Sequence, residues 1–430
     1  MTDRATGARG TGARGTDGET VRATYRIESR IGLERAAETL AGEQSSGTFT
    51  RVAGETEELQ KRHRARVASL AHAGELAEPS LPGAAGEGPV QVGIVEIDFP
   101  LENFGPSIPN LLATVAGNLF ELRELAGCRL LDVELPPAFA DAYPGPRFGI
   151  SGTRRLMSAP TGALLGGIVK PSVGLSPEEQ AARVLALAEA GADFAKDDEL
   201  IADPPYSPLA ERVRHVMAAV DRAAERTGRK LMYAFNITGD IDELRRRHDL
   251  VVEAGGTCVM LCVNLVGLGG VRYVREFAEV PIHGHRALIG ALMRHPALGI
   301  DFRAFQKLAR LAGVDHLHTN GMRNKFYETD DEVQASIEAV RTPLFGGYEV
   351  LPVLSSQQWA GTAAEAYRRV RTTDLLMIAG GGIFAHPDGP GAGVRSLREA
   401  WEAAVAGVPL EERATTSAAL RAAIAQFSRA

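Results

Sequence analysis

The feature that most constrains the fold is a repeat in the second part of the chain, where short apolar runs alternate with helical patterns. The eight runs each end in polar or glycine residues, and they span 166–170, 192–196, 230–236, 257–264, 280–285, 316–318, 350–355 and 375–380. Helical patterns such as 177–190 and 209–227 lie between them. Repeated strand-then-helix units require parallel strand pairing through crossovers. Eight units over roughly 250 residues predict a closed (β/α)8 TIM barrel, with an open doubly wound sheet as the alternative.

Residues 21–148 show a different pattern, in which strand-like and helical segments are mixed. Strand-like segments span 21–27, 90–98 and 129–135, helical patterns span 33–41 and 108–116, and the stretch 74–88 is predicted to be a loop. This mixture is typical of an α+β domain with an open sheet. The Gly-, Thr-, Ala- and Arg-rich residues 1–20 predict a disordered tail. The predicted domains are therefore an α+β domain at 21–148 and the barrel, with C-terminal helices, at 149–430.

The charge balance argues against nucleic acid and membrane partners. The chain has 54 Asp and Glu against 47 Lys and Arg, and its net charge of -7 offers no attractive field to a polyanion or an anionic membrane. No apolar run is long enough to cross a bilayer, and the N-terminal residues lack the apolar core of a secretory signal. Three cysteines, an odd and sparse count, favour a reducing compartment. We therefore expect a cytoplasmic protein.

Polar residues follow the apolar runs at the ends where a barrel enzyme carries its catalytic groups. They are Lys170, Lys196 to Glu199, Asn236, Asn264, His283, His285, His316, His318, Ser355 and Gly380 to Gly382. A polar residue past any one strand has an ordinary explanation, because chains surface there. Polar residues at all eight ends favour an active site.

The run Lys196-Asp197-Asp198-Glu199 is the strongest single candidate. Three adjacent carboxylates repel one another unless a cation or solvent relieves them. Side chains alternate along a strand, so Lys196 and Asp198 share a face, and Glu199 joins them where the chain turns. Hard oxygen ligands of this kind suit Mg²⁺. A solvated acidic turn with a neighbouring ion pair is the alternative that the four residues alone leave open.

Three further strand ends carry candidate functions. A lysine at a barrel mouth, here Lys170, acts as a base when neighbouring cations favour loss of its proton. Gly380-Gly381-Gly382 leaves backbone N–H groups uncovered for a phosphate, and Arg286 offers a bidentate fork for the same purpose. The alternatives are a surface lysine, a tight turn and a surface ion pair. The histidines lack the spacing of a known zinc helix.

These motifs resemble the ribulose-bisphosphate carboxylase (RuBisCO) superfamily, from about Tyr25 to Val405. The segment from Gly191 to Glu199 is similar to the family's metal-site strand. The resemblance implies that Lys196 is carbamylated by CO₂ and binds Mg²⁺ together with Asp198 and Glu199. It also implies a ferredoxin-like fold for the smaller domain.

The same resemblance assigns roles to the other candidates. Lys170 corresponds to the base that removes the proton next to the substrate carbonyl, His285 to a histidine near the substrate, and Lys325 to the lysine of a mobile loop. The residues that correspond to substrate and phosphate ligands are Arg286, His318, Ser355, Gly381 and Gly382. Glu43, Thr48 and Asn118 correspond to residues that reach the partner subunit's site, which implies an obligate homodimer.

The chain departs from the carboxylase pattern at several positions. Ser172 stands where a second lysine is expected, Phe49 where tryptophan is usual, and Ser356-Gln357 where a Gly-Gly pair is expected. The resemblance is therefore to the RuBisCO-like (form IV) proteins, which do not fix carbon.

Among these, the motifs at 283–286, 315–321 and 379–389 resemble the group that acts on 3-oxo-isoapionate 4-phosphate in sugar catabolism. That group implies an enediolate formed by decarboxylation, or by transfer and hydrolysis of a carboxyl group. The alternatives are the 2,3-diketo-5-methylthiopentyl-1-phosphate enolase of methionine salvage and a non-catalytic binding or regulatory barrel.

Overall fold

Thirteen strands lie in residues 18–47 and 53–428, the part of the chain that this computed structural model describes. In chain order they are β1 Thr20–Ser29, β2 Arg66–Leu76, β3 Val90–Pro100, β4 Gly127–Glu134, β5 Leu164–Ile168, β6 Phe194–Lys196, β7 Met232–Asn236, β8 Cys258–Cys262, β9 Ile282–His285, β10 Leu298–Ile300, β11 His316–His318, β12 Leu351–Leu354 and β13 Leu376–Ala379.

The same residues contain seventeen α-helices. They are α1 Leu33–Glu43, α2 Glu57–His63, α3 Ile108–Ala116, α4 Ala138–Ala142, α5 Gly149–Leu156, α6 Pro177–Glu189, α7 Leu209–Thr227, α8 Ile241–Glu253, α9 Val263–Phe277, α10 Ile289–Met293, α11 Phe302–Ala312, α12 Asp330–Arg341, α13 Ala363–Val370, α14 Gly381–Phe384, α15 Gly389–Ala406, α16 Leu410–Ala414 and α17 Ala418–Phe427. Short 3-10 helices lie at Leu101–Asn103, Asn118–Glu121 and Ala360–Thr362.

The chain divides into two compact units, and the first comprises Met1–Ala142 with Pro296–Asp301. Its sheet has the order β10-β4-β1-β3-β2. Strand β1 pairs antiparallel with β3 and β4, and β2 pairs antiparallel with β3. This order, with α1 and α3 in the crossovers, confirms the predicted ferredoxin-like fold. Residues 1–17 of the predicted tail lie outside the described residues.

Two strands of this sheet do not appear in the sequence pattern. Strand β2 ends inside the stretch predicted to be a loop, and most of its side chains are exposed, so the alternation that marks a half-buried strand is absent. Strand β10 comes from Leu298–Ile300, far along the chain, and pairs parallel with β4. No local pattern distinguishes so short a segment from a loop.

The second unit, Tyr143–His295 with Phe302–Ala430, is a closed barrel. Its strands follow one another as β5-β6-β7-β8-β9-β11-β12-β13, every pair is parallel, and β13 pairs with β5 to close the ring. Each of the eight predicted runs contains or overlaps one barrel strand. The (β/α)8 prediction is therefore confirmed, and the open sheet is excluded.

Apolar side chains fill the interior of the barrel, including Phe194, Met260 and Cys258. The thiols of all three cysteines are free and buried, as expected for small apolar residues rather than ligands. Because the strands are parallel, their carboxyl ends meet at one rim, where barrel enzymes carry their active sites. Among the described residues, the helices are too short or too polar to span a bilayer.

One buried carboxylate fixes the chain where β6 ends at that rim. Asp197 is fully buried. Its Oδ1 accepts hydrogen bonds from Gln180 Nε2 at 2.6 Å and from the Tyr233 hydroxyl at 2.6 Å. Its Oδ2 accepts from the backbone N–H of Asn236 at 2.8 Å and from Arg212 Nε at 3.2 Å. Four donors from three helices and strands therefore hold this side chain.

The guanidinium of Arg212 is the only cation among these four donors. It is fully buried on α7, and it also donates to the carbonyl oxygens of Ser207 at 2.6 Å and Ile201 at 2.9 Å. Arg212 thus joins α7, the loop that follows β6 and the buried carboxylate. A hydrogen-bonded buried ion pair is strongly destabilised when one partner is removed, because the other charge is left without compensation.

We expect Arg212→Met to lower the free energy of unfolding by about 3–5 kcal/mol, since Asp197 would remain buried without its cation. The matched control is Arg214→Met, two residues along α7. Its side chain is 64% exposed and pairs with exposed Glu211, so its removal should change stability by less than about 0.5 kcal/mol. Urea unfolding followed by circular dichroism measures both, and equal effects would contradict the assigned role of Arg212.

Candidate active site

A cavity of about 640 Å³ opens at the carboxyl ends of the barrel strands, and its lining residues belong to the second unit. The structure brings nine of the predicted site residues together in its wall. They are Lys170, Asp198, Glu199, His285, Arg286, His318, Lys325, Ser355 and Gly381. They follow or end β5, β6, β9, β11, β12 and β13, so the barrel predicts their convergence.

Lys196 lies beneath the cavity wall and is fully buried. Its Nζ lies 3.4 Å from Glu199 Oε2, 2.9 Å from the carbonyl oxygen of Asp197 and 3.6 Å from Met260 Sδ. The carboxylate of Asp197 accepts hydrogen bonds from the four donors described above and points away from the cavity. The side chains on the side of the cavity are therefore those of Lys196, Asp198 and Glu199. The strand alternation predicted this division.

Lys170, just beyond β5, contacts this run directly. Its Nζ donates to Asp198 Oδ2 at 2.7 Å and to the Ser172 hydroxyl at 2.6 Å. Gly380 allows this approach, because a Cβ there would lie 2.8 Å from Lys170 Cε. Ser172, which stands where the family carries a second lysine, thus holds the first one in place.

The electrostatics around Glu199 favour its anion. Burial by itself would raise the pKa of Glu199, but the Lys196 and His285 charges outweigh it and lower the pKa to about 2. His285 Nε2 lies 3.5 Å from Glu199 Oε2. Burial and the Lys196 charge lower the pKa of His285 to about 4, so this histidine is neutral near pH 7.

The donor set Lys196, Asp198 and Glu199 fits the predicted magnesium. Asp198 and Glu199 supply hard oxygen ligands at one wall of the cavity, and the Lys196 amine, which a carbamate would convert into a third oxygen donor, lies beside them. In the described residues, no group of three or more His, Cys, Asp or Glu side chains is placed to hold a metal ion.

A chain of neutral histidines crosses the barrel interior to the cavity. His316 Nε2 lies 2.9 Å from the Thr153 hydroxyl, and His316 Nδ1 lies 3.3 Å from His283 Nδ1. His283 Nε2 lies 2.8 Å from His318 Nε2, and His318 Nδ1 lies 3.0 Å from the Ser355 hydroxyl. Burial, as the largest cause, lowers the pKa of all three rings.

Each neutral ring carries one N–H, so each contact in this chain holds one proton. The chain therefore has two consistent arrangements, with all donors pointing toward Ser355 or all pointing toward Thr153. When His318 donates to Ser355, the serine hydroxyl is available to donate into the cavity. Both nitrogens of His318 have protein partners, and the chain ends at the Ser355 hydroxyl in the cavity wall.

The predicted phosphate ligands follow different strands of the barrel. Ser355 and Gly381 follow the adjacent strands β12 and β13 (the Ser355 and Gly381 end), and a Cβ on Gly381 would meet nothing within 4 Å. Gly382 does not line the cavity, because it packs against Gln358, whose carbonyl oxygen would lie 2.2 Å from an added Cβ. Arg286 follows β9, three strands from β13 around the ring (the Arg286 end), and its guanidinium forms an ion pair with Glu328.

Ser356 and Gln357, which stand where the family pattern has a Gly-Gly pair, both have a left-handed backbone. Their φ angles are 69° and 58°, in the left-handed region that glycine adopts without cost. The Ser356 hydroxyl donates to Asn320 Oδ1 at 3.1 Å. Backbone strain of this kind persists where the surrounding structure holds it, often at a functional site.

The remaining predicted residues lie elsewhere. Glu43 ends α1 and Asn118 opens a 3-10 helix, both exposed in the first unit. The two segments are neighbours, since a Cβ on Gly117 would lie 3.1 Å from Gln44 Oε1. Thr48 lies outside the described residues. The part that these residues play in a partner subunit's site stays a prediction.

Sequence reasoning missed two polar lining residues on the loop that carries Lys325, namely Asn320 and Glu328. Asn320 lies in the motif that follows β11, and Glu328 lies three residues after Lys325. Their closeness in sequence to predicted site residues could have indicated that they line the cavity. Their hydrogen-bond and ion-pair partners depend on the conformation of the loops, which the sequence pattern does not predict.

Acidification should destabilise the protein through the buried histidines. The folded rings have pKa values below 6.5, and that of His316 is about 3, whereas in the unfolded chain they titrate near 6.5. Below that pH the unfolded state binds protons that the folded state does not, so stability is lost as the pH falls. Each such histidine contributes a loss of up to about 1.4 kcal/mol per pH unit.

Urea unfolding at several pH values between about 7 and 5 measures this slope. We expect His316→Gln to have a shallower pH dependence than the wild type, whatever its absolute stability. The control is His72→Gln, since His72 is exposed on β2 and its removal should leave the slope unchanged. Equal slopes in the wild type and His316→Gln would contradict the burial argument.

Comparison with known families and proteins agrees with this geometry. The family described as ribulose bisphosphate carboxylase large chain, N-terminal domain, matches residues 15–139, and its catalytic domain matches residues 149–427. A solved rubisco-like protein from Burkholderia fungorum is 44% identical with a TM-score of 0.89, and the match covers 95% of this chain and 100% of that one.

Two similar relatives carry functional names. A 3-oxo-isoapionate-4-phosphate transcarboxylase/hydrolase from Xanthobacter autotrophicus is 52% identical, over 94% of this chain and 99% of its own. A 3-oxo-isoapionate-4-phosphate decarboxylase from Rhizobium rhizogenes is 44% identical, over 95% of this chain and 99% of its own. The family matches span both units, and this chain belongs to the ribulose bisphosphate carboxylase large-chain family, as one of its RuBisCO-like members.

Proposed function

We propose that this protein is a magnesium-dependent, RuBisCO-like enzyme that removes the carboxyl group of 3-oxo-isoapionate 4-phosphate. The carboxyl group leaves as CO₂, or it is transferred and released by hydrolysis. The observation that supports the proposal is one cavity at the barrel rim whose lining includes Lys170, Asp198, Glu199, Ser355 and Gly381. The names of the two relatives, at 52% and 44% identity, support the substrate.

The chemistry of a 3-oxo acid suits this arrangement. The bond between the carboxyl carbon and the α-carbon breaks, and its electron pair moves toward the carbonyl oxygen to form an enolate. The enolate carbon then takes one proton, which balances the loss of CO₂. Mg²⁺ bound by Asp198, Glu199 and a Lys196 carbamate would polarise the carbonyl and stabilise the oxygen anion.

Lys170 is placed to handle that proton. Its ammonium group lies at the cavity wall, held by Asp198 and Ser172 within 2.7 Å. A positioned acid or base contributes when its proton lies within hydrogen-bond reach of the reacting carbon. Lys170 therefore donates to the enolate carbon and, in the reverse sense, removes a proton next to the carbonyl.

The phosphate is held at the Ser355 and Gly381 end. Ser355 donates its hydroxyl proton to an anionic oxygen when His318 donates to Ser355, and this sets the orientation of the histidine chain. Lys325 lines the same cavity and is available to a carboxylate. Glu43, Thr48 and Asn118 complete the site from a second subunit, so the enzyme is a cytoplasmic homodimer.

An assay with candidate substrates tests the function. With Mg²⁺ and CO₂ present, the purified protein should release CO₂ or the hydrolysis product from 3-oxo-isoapionate 4-phosphate. Lys196→Ala should reduce kcat/KM by at least about a thousandfold, since the rate loses roughly 4 kcal/mol of transition-state stabilisation. Lys230→Ala is the control, because Lys230 pairs with Asp221 at the surface and should not affect the rate.

Three results would contradict the proposal. Full activity in the presence of a chelator would exclude magnesium. Turnover of 2,3-diketo-5-methylthiopentyl 1-phosphate alone would favour the methionine-salvage enolase. Turnover of neither compound would favour a non-catalytic barrel.

Solvent exchange tests Lys170 separately. When the preformed product ketone is incubated in D₂O, the wild type should exchange the hydrogen on the carbon next to the carbonyl for deuterium, because Lys170 removes that proton, exchanges with solvent and returns a deuteron. Lys170→Ala should show exchange reduced at least about a hundredfold, as expected for loss of a general acid–base group. Mass spectrometry or NMR of the ketone measures the incorporation, with Lys230→Ala as the control. Wild-type exchange rates in Lys170→Ala would exclude this residue as the proton carrier.

A further inference from the structure

Arg286 and Glu328 form an ion pair inside the cavity wall, at the end away from Gly381. Arg286 Nη1 lies 3.1 Å from Glu328 Oε1, and its Nη2 donates to Glu328 Oε2. Both side chains are only 6% exposed. The guanidinium also lies over the Phe302 ring, with its central carbon 5.5 Å from the ring centroid. Both terminal nitrogens of the Arg286 guanidinium therefore bind a carboxylate of the same chain.

Further contacts hold Glu328 in this position. Asn320 Nδ2 donates to Glu328 Oε2, and the Ser356 hydroxyl holds Asn320 Oδ1 at 3.1 Å. Asn324 Nδ2 donates to the carbonyl oxygen of Glu328 at 3.1 Å. The carboxylate thus has two partners and its backbone a third, and they come from the loops that follow β9 and β11.

This network neutralises Arg286 itself. The guanidinium and carboxylate charges cancel, so the pair offers an incoming phosphate no net positive charge. A phosphate could use Arg286 only by displacing Glu328, which would leave a buried carboxylate without its cation, and that is strongly unfavourable. The other lining carboxylates, Asp198 and Glu199, face Lys170 and Lys196 instead.

We propose that Glu328 is a specificity-determining residue that closes the Arg286 end of the cavity to phosphate. The enzyme then accepts substrates with one phosphate group, held at the Ser355 and Gly381 end, and gains little from a second phosphate at the other end of the molecule. Arg286 is a structural partner of Glu328 and no phosphate ligand. This inference rests on the proposed function insofar as it takes the cavity as the site of a phosphorylated substrate.

Binding of two unreactive polyols tests the proposal. D-arabinitol 5-phosphate and D-arabinitol 1,5-bisphosphate lack a carbonyl group, so isothermal titration calorimetry with Mg²⁺ and CO₂ present reports affinity without turnover. For the wild type we expect the two dissociation constants to agree within about threefold. For Glu328→Gln, which removes the charge and keeps the shape, the bisphosphate should bind at least about tenfold more tightly than the monophosphate.

Glu328→Asp is the matched control, because it keeps the charge in a side chain shorter by one methylene. It should retain the wild-type ratio. A wild-type preference of tenfold or more for the bisphosphate would overturn the proposal, even if no variant folds. So would an unchanged ratio in Glu328→Gln, or a gain in Glu328→Asp equal to that in Glu328→Gln. Because these ratios need no catalysis, they distinguish this proposal from a failure of the proposed reaction.

Discussion

The geometry of the site depends on the buried carboxylate of Asp197. Side chains alternate along β6 and just beyond it, so a fixed Asp197 on one side commits Lys196 and Asp198 to the other. The four donors to Asp197 come from α6, α7 and β7, so neighbouring crossover units share the constraint. The residues that bind Asp197 at the ends of β6 and β7 therefore also fix the orientation of the candidate metal ligands. Asn236 adds to this, since its side chain donates to the carbonyl oxygens of Asp198 and Glu199 at 3.3 and 3.2 Å.

Much of the fold followed from the pattern of apolar residues. A closed ring of parallel strands buries each strand on both faces, so every barrel strand produced a short apolar run, and the eight runs were recognisable. The barrel prediction also implied that the polar residues at the strand ends lie close together, because parallel strands end at one rim. These residues include Lys170, Glu199, His285 and Ser355. The edge strand β2 was missed for the opposite reason. Its side chains are mostly exposed, so its sequence lacks the alternation of apolar and polar residues that marks a half-buried strand.

The sequence did not predict which side chains of the site form hydrogen bonds or ion pairs with one another. Asp197 had no predicted role, because its partners Gln180, Arg212 and Tyr233 are brought to it by three separate elements. Arg286 was expected to bind phosphate, whereas the structure pairs it with Glu328 from a later loop. Loop conformation decides that pairing, as it decides the left-handed backbone at Ser356 and Gln357. Residue type and strand position predict which groups reach the cavity, and the loops determine which of them neutralise one another.

The charges at the cavity suggest why Lys170 and Lys196 sit opposite carboxylates. Lys170 faces Asp198 at 2.7 Å and Lys196 faces Glu199 at 3.4 Å, so the cations and anions balance without a metal. Carbamylation converts a lysine ammonium of charge +1 into a group of charge -1, a change that one divalent cation compensates. In the proposed carbamylated state with one divalent cation, the net charge of the site would therefore equal that of the metal-free protein. The distribution of charge would differ, because a cation held by Asp198 and Glu199 would offset the negative charge that Lys170 faces in the metal-free protein.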